Sequence, residues 1–105
     1  MSKKVSNGFQ MFMEENSRTG KAYMEMVMQL SQESALDEKT RELAYISVLS
    51  AVKMCGGLDF HVKSARELGA SRNEIKSAVL VGLPAVGITV IDAFEAALKA
   101  YDQEN

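Results

Sequence analysis

The stretch around which this chain is organised is Met54-Cys55-Gly56-Gly57-Leu58-Asp59-Phe60-His61. It contains the only cysteine and the only histidine of the 105 residues. Segments with the apolar spacing of helices lie on either side of it, and glycine adopts backbone conformations that other residues avoid. We therefore predict that Gly56 and Gly57 break the chain between two helices, and that any chemistry lies close to this break.

The segments next to this break have the signals of helix ends. Before it, Asp37 is placed to cap a helix that is apolar on nearly every face from Leu43 onward. A helix of that kind is usually buried all round. After it, apolar residues at helical spacing predict a helix over residues 58–68, with His61 on the apolar stripe. Lys63 lies off that stripe and is expected to face solvent.

Two helices are predicted before these and two after them. A short amphipathic helix ends before Gly20 and is followed by a helix over about residues 21–33. Ser71 and Glu74 have the spacing of a capping box at the start of a helix. Pro84 predicts a boundary before the last helix, because proline disfavours helical backbone at the preceding residue. No segment alternates as a strand does, and we predict an all-α fold of five or six helices.

The overall composition restricts the classes of function. A length of 105 residues indicates one domain, residues 1–105. The net charge of -2 argues against nucleic acid as a partner, because binding to phosphates needs a basic face. The longest apolar stretch, residues 78–91, is too short to span a membrane, and the N-terminus lacks the apolar run of a signal peptide. We expect a cytoplasmic protein without a membrane or nucleic-acid partner.

The two most apolar segments, residues 43–52 and 78–91, are large for so small a chain. Both contain small residues that permit close contacts between helices. Since large exposed apolar surfaces usually mark an interface, we expect part of this surface to be covered by further copies of the chain. The sequence therefore predicts a homo-oligomer.

His61 and Glu42 each have two interpretations from the residues alone. A histidine on an apolar stripe is either a hydrogen-bonded core residue or a group that exchanges protons near neutral pH. Glu42 is either an exposed acid in the first turn of its helix or part of the site. One histidine and one cysteine supply too few of the usual ligands for a metal, and no phosphate-binding glycine motif is present. We expect no metal and no cofactor.

Cys55 has three interpretations. A single cysteine cannot form a disulfide within the chain, and disulfide exchange normally needs a second, resolving cysteine. The residue is a small buried apolar group, a reactive thiol activated by the following helix N-terminus or by His61, or an idle, partly exposed side chain.

Three motifs carry a resemblance to a known family. They are Arg41-Glu42-Leu43, Asp59-Phe60-His61-Val62-Lys63-Ser64-Ala65 and Leu68-Gly69-Ala70-Ser71-Arg72-Asn73-Glu74-Ile75. With these motifs the segment from about Thr40 to Ala97 resembles the carboxymuconolactone decarboxylase family, which includes the alkylhydroperoxidase D-like proteins. The resemblance implies the alkylhydroperoxidase D-like helical fold, assembled as a trimer or as a hexamer of dimers.

The peroxidase branch of that family carries the pattern Glu-x11-Cys-x2-Cys-x3-His. Glu42 and His61 have the spacing of its first and last residues, whereas Met54 and Gly57 stand at the two cysteine positions. Cys55 is one residue away from the first of those positions. The resemblance therefore implies that the redox pair is missing and that Cys55 is not its remnant.

Three functions follow from this match of motifs. The decarboxylase branch also lacks the cysteine pair, which favours a lyase-like enzyme that uses His61 and Glu42 in acid–base chemistry on a small organic acid or lactone. The alternatives are a single-thiol peroxidase or oxidoreductase that uses Cys55 on a hydroperoxide, and a non-catalytic binding or structural module. Arg41 and Lys53 are the nearest candidates in sequence for holding a substrate carboxylate.

Acid–base chemistry by this pair requires that Glu42 and His61 meet. In a simple antiparallel hairpin the two residues would be offset by about 12 Å along the helix axes, at roughly 1.5 Å per residue. Direct contact thus needs a large crossing angle or a glutamate from a neighbouring subunit. We predict that the two side chains approach within reach of a hydrogen bond or of one bridging water.

Overall fold

Residues 3–103 are described by a computed structural model, and within them every regular element is a helix. Six α-helices have nine residues or more: α1 (Asn7–Glu15), α2 (Ser17–Glu33), α3 (Glu38–Ala51), α4 (Leu58–Glu67), α5 (Arg72–Leu80) and α7 (Ile91–Asp102). The four-residue helix α6 (Leu83–Val86) lies between α5 and α7, and two 3-10 turns cover Cys55–Gly57 and Gly87–Val90. The predicted all-α fold is confirmed.

Helices α3, α4, α5 and α7 form the core. Helix α4 packs against α3 and α7, and α5 packs against the same two helices. Most of the fully buried side chains are apolar and come from these four helices; they include Ile46, Leu58, Val62, Ile75 and Ala97. Burial of each large aliphatic side chain stabilises the fold by roughly 1.5–3 kcal/mol. Helix α4, which carries His61, is therefore packed between α3 and α7.

Two predicted helix starts are present. The side chain of Asp37 accepts a hydrogen bond from the backbone N–H of Thr40 at 2.8 Å. The hydroxyl of Ser71 accepts one from the N–H of Glu74, and the carboxylate of Glu74 accepts one from the N–H of Ser71. Each bond satisfies an N–H that helix geometry leaves without a partner. The capping box predicted at α5 is thereby confirmed.

The unusual backbone conformation that follows α3 lies at Lys53 and not at the predicted glycines. Lys53 has a φ of 64°, in the left-handed region that is unfavourable for a residue with a side chain, whereas Gly57 has a φ of -87°. Gly56 has no positive φ either. The prediction that the glycines break the helix by their unusual backbone was wrong. A side chain at Gly57 is disfavoured for another reason: a Cβ there would lie only 3.2 Å from Cδ1 of Leu49.

Gly20 and Pro84 lie inside helices rather than at the predicted boundaries. Gly20 belongs to α2, where an added Cβ would lie 2.7 Å from Sδ of Met13. A side chain at this position would therefore require the thioether of Met13 to move. Pro84 lies in the first turn of α6, where its missing N–H leaves no hydrogen bond unmade. Helix α5 has already ended at Leu80.

Helix α3 is less buried than its apolar sequence predicted. Ile46 and Leu49 face the core, but Tyr45, Val48 and Val52 are exposed. These three lie at i, i+3 and i+7 and form one stripe. The expected burial all round therefore holds for one face only, because the helices of the same chain cover only that face.

Lys63 is buried, although its position on α4 predicted a solvated side chain. The side chain is 1% exposed, and Nζ donates to Oδ1 of Asp59 at 2.9 Å and to Oε1 of Gln103. The other oxygen of Asp59 accepts a hydrogen bond from the backbone N–H of Lys4. Segments near both ends of the described chain are thereby attached to α4.

Helices α1 and α2 pack mainly against each other. Phe9, Phe12 and Tyr23 form a cluster whose ring centroids lie 6.0 to 6.2 Å apart. Gly20 is the only buried residue of the two helices, and Leu30 on α2 is exposed. The hairpin adds little to the core and leaves apolar surface open.

The segment Arg72–Asp102 is long and apolar enough to pass a composition test for a membrane span, which is weak evidence by itself. In the structure it is folded back on itself. Nε of Arg72 and Oδ1 of Asp102, at its two ends, are 2.9 Å apart. A straight helix of that length would separate these residues by about 45 Å. The segment is therefore a set of shorter helices, with α5 packed against α7.

Candidate acid–base site

Glu42 and His61 meet within one chain. Nδ1 of His61 lies 2.9 Å from Oε2 and 3.3 Å from Oε1 of Glu42. A carboxylate can only accept hydrogen bonds, so Nδ1 carries the hydrogen and donates it. In the neutral imidazole the other nitrogen, Nε2, then has a free lone pair. The predicted approach of the two side chains is confirmed, and it needs no neighbouring subunit.

The connection between α3 and α4 explains how these side chains meet. The backbone N–H of Met54 donates to the carbonyl of Leu49 at 2.9 Å, and Gly57 packs against the side chain of the same leucine. The chain has therefore returned to the level of Leu49 before α4 begins. Leu49 lies about 10 Å from Glu42 along α3, and His61 advances about 6 Å along α4, so the two side chains close the remaining gap.

Two aromatic rings adjoin the imidazole. Between centroids, the ring of Tyr45 lies 4.3 Å and the ring of Phe60 5.2 Å from that of His61. Tyr45 follows Glu42 by three residues, so one face of α3 supplies both groups. Within residues 3–103, His61 forms hydrogen bonds only through Nδ1, and no fully buried polar side-chain atom lacks a partner. Nε2 therefore has no partner in the described chain and is not fully buried; the His61 side chain as a whole is 25% exposed.

The same surroundings act on the hydroxyl of Tyr45. Burial raises the pKa of Tyr45 above its ordinary value, and the nearby Tyr23 and Glu42 raise it further. The phenol therefore keeps its proton at physiological pH. The imidazole lies against a neutral aromatic ring and a hydrogen-bonded carboxylate.

A cleft of about 210 Å³ lies beside Glu42. It is lined by Lys3, Glu38, Arg41, Glu42, Ser64, Glu67 and Leu68. This volume is below that of sites for drug-sized ligands and suits a molecule of a few carbon atoms. Within residues 3–103 no three side chains of histidine, cysteine, aspartate or glutamate cluster as metal ligands. The lining includes Glu42 but not His61.

Of the two predicted candidates for holding a carboxylate, only Arg41 lines the cleft. Its Nη1 donates to the backbone carbonyls of Ser31 at 3.2 Å and Leu36 at 3.4 Å. These bonds attach the guanidinium to the end of α2 and the loop after it. Lys53 is not part of the lining.

Lys3 is a cleft residue that the sequence did not predict. Its Nζ donates to Oγ of Ser64 at 3.1 Å and to Oε1 of Glu67 at 3.2 Å, and it lies 4.8 Å from the ring centroid of Phe60. No local pattern links Lys3 to α4, because the contact depends on the path of the N-terminal segment across that helix.

Cys55 lies in the 3-10 turn before α4, partly buried against the core. In the described part of the chain its thiol forms no hydrogen bond with His61 or Glu42. The structure thus brings together two of the three predicted site residues and leaves the third outside their contact. A role for the thiol stays a prediction.

A comparison with models of known protein families identifies the family of this chain. A family model described as the carboxymuconolactone decarboxylase family matches residues 18–100. The chain belongs to the carboxymuconolactone decarboxylase family. The matched range includes both Glu42 and His61. The resemblance first seen in three motifs therefore extends over most of the chain.

A solved structure supports the carboxymuconolactone decarboxylase fold. It is the crystal structure of an apo carboxymuconolactone decarboxylase family protein from Legionella pneumophila, with a TM-score of 0.77 and 22% sequence identity. The match covers 90% of this chain and 85% of that chain. At this identity the likeness is one of fold. No curated protein matches the sequence significantly.

Proposed function

We propose that this carboxymuconolactone decarboxylase family member is a lyase-type enzyme that performs acid–base chemistry on a small organic acid or lactone. His61 transfers the proton and Glu42 orients it. The observation that carries the proposal is the 2.9 Å contact between Nδ1 of His61 and Oε2 of Glu42, which leaves Nε2 without a partner in the described chain. That nitrogen is the atom of this pair that can reach a substrate.

Proton transfer at Nε2 serves both kinds of substrate. When an organic acid loses CO2, the bonding electron pair stays on the adjacent carbon, and the imidazolium form of His61 donates its Nε2 proton to that carbon. Water then reprotonates the imidazole. With a lactone, neutral Nε2 takes a proton from the carbon next to the carbonyl, and the electron pair of that C–H bond forms an enolate. The carboxylate of Glu42 stabilises the imidazolium, which then returns the proton to the enolate at another carbon. A group placed in this way contributes roughly 10²–10⁴-fold.

The cleft beside Glu42 contains two cations that a substrate carboxylate could approach, among three acids. Lys3 and Arg41 place two positive charges in a wall that also contains Glu38, Glu42 and Glu67. A substrate carboxylate is favoured next to the cations and disfavoured next to the acids, so the charge pattern orients an asymmetric acid. The small volume of the cleft limits the rest of that molecule.

The test is turnover of a panel of γ-lactone carboxylic acids and 3-oxo acids. Turnover is measured as the release of CO2. We expect His61→Ala and Glu42→Gln each to lower kcat/KM for an active compound by roughly 10²-fold or more. Lys99→Ala, a change on the exposed face of α7, is the folding-matched control. An active compound that His61→Ala still converts at the wild-type rate would contradict the proposal.

The same protein distinguishes the alternative functions. A single-thiol peroxidase would consume an organic hydroperoxide with oxidation of Cys55, and Cys55→Ser would abolish that activity. An acid–base enzyme keeps its turnover in Cys55→Ser. A binding or structural module would convert neither the panel of acids nor the organic hydroperoxide.

We further infer that the chain functions as a homo-oligomer, a trimer or a hexamer, in the cytoplasm. Its accessible surface is 6970 Å², whereas a monomer of 11.5 kDa is expected to expose about 5,800 Å². This excess of accessible surface is comparable to the roughly 800 Å² that each partner covers in a stable interface.

Val48 on α3 and Ile88 near α7 are exposed and apolar. Light scattering should show a multimer that Ile88→Glu weakens; a monomeric wild type would contradict this inference.

A further inference from the structure

The imidazole of His61 packs against a ring that the proposed chemistry does not use. The centroid of Tyr45 lies 4.3 Å from that of His61, with 53° between the ring planes. Histidine has two soft side-chain torsions, and a half-turn about the second exchanges Nδ1 for a carbon atom. Such a turn would break the hydrogen bond with Glu42. A ring packed this close to the imidazole opposes that rotation.

Helix geometry places Tyr45 and Glu42 on the same face of α3. Because they are three residues apart on α3, both project toward the same side. The carboxylate of Glu42 binds the imidazole at Nδ1, and the tilted ring of Tyr45 packs against the imidazole with the centroids 4.3 Å apart. The edge of His61 that carries Nε2 is left free.

The contact is made by the ring of Tyr45 and not by its hydroxyl. Within residues 3–103 that hydroxyl forms no hydrogen bond with a side chain or with the backbone. Tyr45 is 42% exposed and lies outside the buried core. Its ring is therefore not required to fill the interior, and the aromatic ring that it contacts in the described chain is that of His61.

We propose that the ring of Tyr45 is a positioning group that holds the imidazole of His61 with Nδ1 on Glu42 and Nε2 toward the open side of the site. The inference rests on the proposed function only in that His61 is the proton-transferring group. The orientation itself is a property of the free protein and is measurable without a substrate.

The sole histidine makes the test direct. Protein without a histidine tag, labelled with ¹³C,¹⁵N-histidine, has one imidazole, and its ring ¹⁵N shifts report the ratio of Nδ1–H to Nε2–H forms at a pH where the ring is neutral. We expect wild type and Tyr45→Phe to be mainly Nδ1–H. Tyr45→Leu should lower the ratio by about threefold or more, the equilibrium factor of one aromatic pair. The part of the ring-current shifts of the His61 protons that comes from Tyr45 should disappear in the same variant, while the part from Phe60 remains.

Tyr23→Leu is the matched control. Tyr23 is 39% exposed, close to the exposure of Tyr45, but its ring contacts Phe9 and Phe12 rather than His61. This variant should keep the wild-type spectrum of the imidazole. Tyr45→Met provides a second variant without a ring if Tyr45→Leu does not fold.

Two results would overturn the proposal. One is a Tyr45→Leu protein with the wild-type ratio of the two imidazole forms. The other is a Tyr45→Phe protein that behaves like Tyr45→Leu, since the hydroxyl and not the ring would then be responsible. With an active substrate in hand, Tyr45→Leu should lower kcat by about ten- to a hundredfold with little change in KM. A failed role of His61 in turnover would leave the spectroscopic result unaffected, so the two failures are distinguishable.

Discussion

Helix α4 supplies the basic member of two hydrogen-bonded acid–base pairs that have equal length and different character. Nδ1 of His61 and Oε2 of Glu42 are 2.9 Å apart, and so are Nζ of Lys63 and Oδ1 of Asp59. The side chains of the first pair are 25% and 22% exposed, whereas that of Lys63 is 1% exposed. Two residues along the helix therefore separate a pair that water reaches from a pair whose cation is buried.

The difference lies in which atoms are left free. Lys63 donates to Asp59 and Gln103, and Asp59 also accepts from the backbone of Lys4, so this pair joins the two terminal segments to α4. His61 uses one nitrogen on Glu42 and leaves the other without a partner in the described chain. A short distance between charges thus does not identify a functional pair. An unoccupied reactive atom next to solvent is the more informative feature.

The largest effect is expected where the buried pair is broken. Lys63→Ala should lower the free energy of unfolding by about 3 kcal/mol, because it leaves Asp59 without its cation and a gap in a packed region. Denaturant unfolding measures the change. Lys99→Ala removes another lysine paired four residues back, with Glu95, but both side chains are 73% exposed. That control should behave as wild type, and an equal loss in both variants would refute the comparison.

The second effect is the acid dependence of stability. Burial alone would raise the pKa of Asp59, but hydrogen bonds from Lys63 and from the backbone of Lys4 hold it below its ordinary value of 3.8. A carboxylate with a depressed folded-state pKa stabilises the fold above its unfolded-state pKa and loses that contribution as pH falls through the folded value.

Asp59→Asn should therefore be less stable than wild type at neutral pH, and its unfolding free energy should change less between pH 5 and about pH 2. Urea unfolding at several pH values gives both slopes, and their difference isolates Asp59 from the other carboxylates. Parallel slopes would show that Asp59 does not titrate as the contacts require.

A smaller effect on stability is expected at the pair that water reaches. Glu42→Gln should change the free energy of unfolding by less than about 1 kcal/mol, because a solvent-accessible charged pair contributes little to folding. The same variant should nevertheless shift the ratio of the two imidazole forms of His61. A loss of stability as large as that of Lys63→Ala would place Glu42 among the structural residues.

The smallest effect on the site is expected at Cys55. Its thiol contacts neither pair by a hydrogen bond, so Cys55→Ala should leave the ring ¹⁵N shifts of His61 unchanged. A displaced His61 spectrum would indicate that the 3-10 turn before α4 influences the site after all.

Several parts of the fold were predictable because their signals are local. A cap needs one side chain and an N–H about three residues away, so Asp37 and the Ser71–Glu74 capping box could be identified from spacing alone. The Glu42–His61 pairing was predictable from the resemblance to the family, although their contact within one chain was not.

Other parts were not predictable because they depend on distant segments. Lys63 looked solvated on its own helix, and only the approach of residues 4 and 103 buries it. Lys3 reaches the cleft from the far end of the chain. Gly57 looked like a flexible break, but its contact with Leu49 shows that the missing Cβ allows α4 to pack against α3.

The sequence by itself determined the helical class, the caps at Asp37 and Ser71 and the presence of one histidine and one matching glutamate, because periodicity and short-range hydrogen bonds need only neighbouring residues. The tertiary structure alone decided which charged pair is closed and which is open. That choice depends on solvent access, and solvent access at α4 is set by the packing of α3, α7 and the two terminal segments around it.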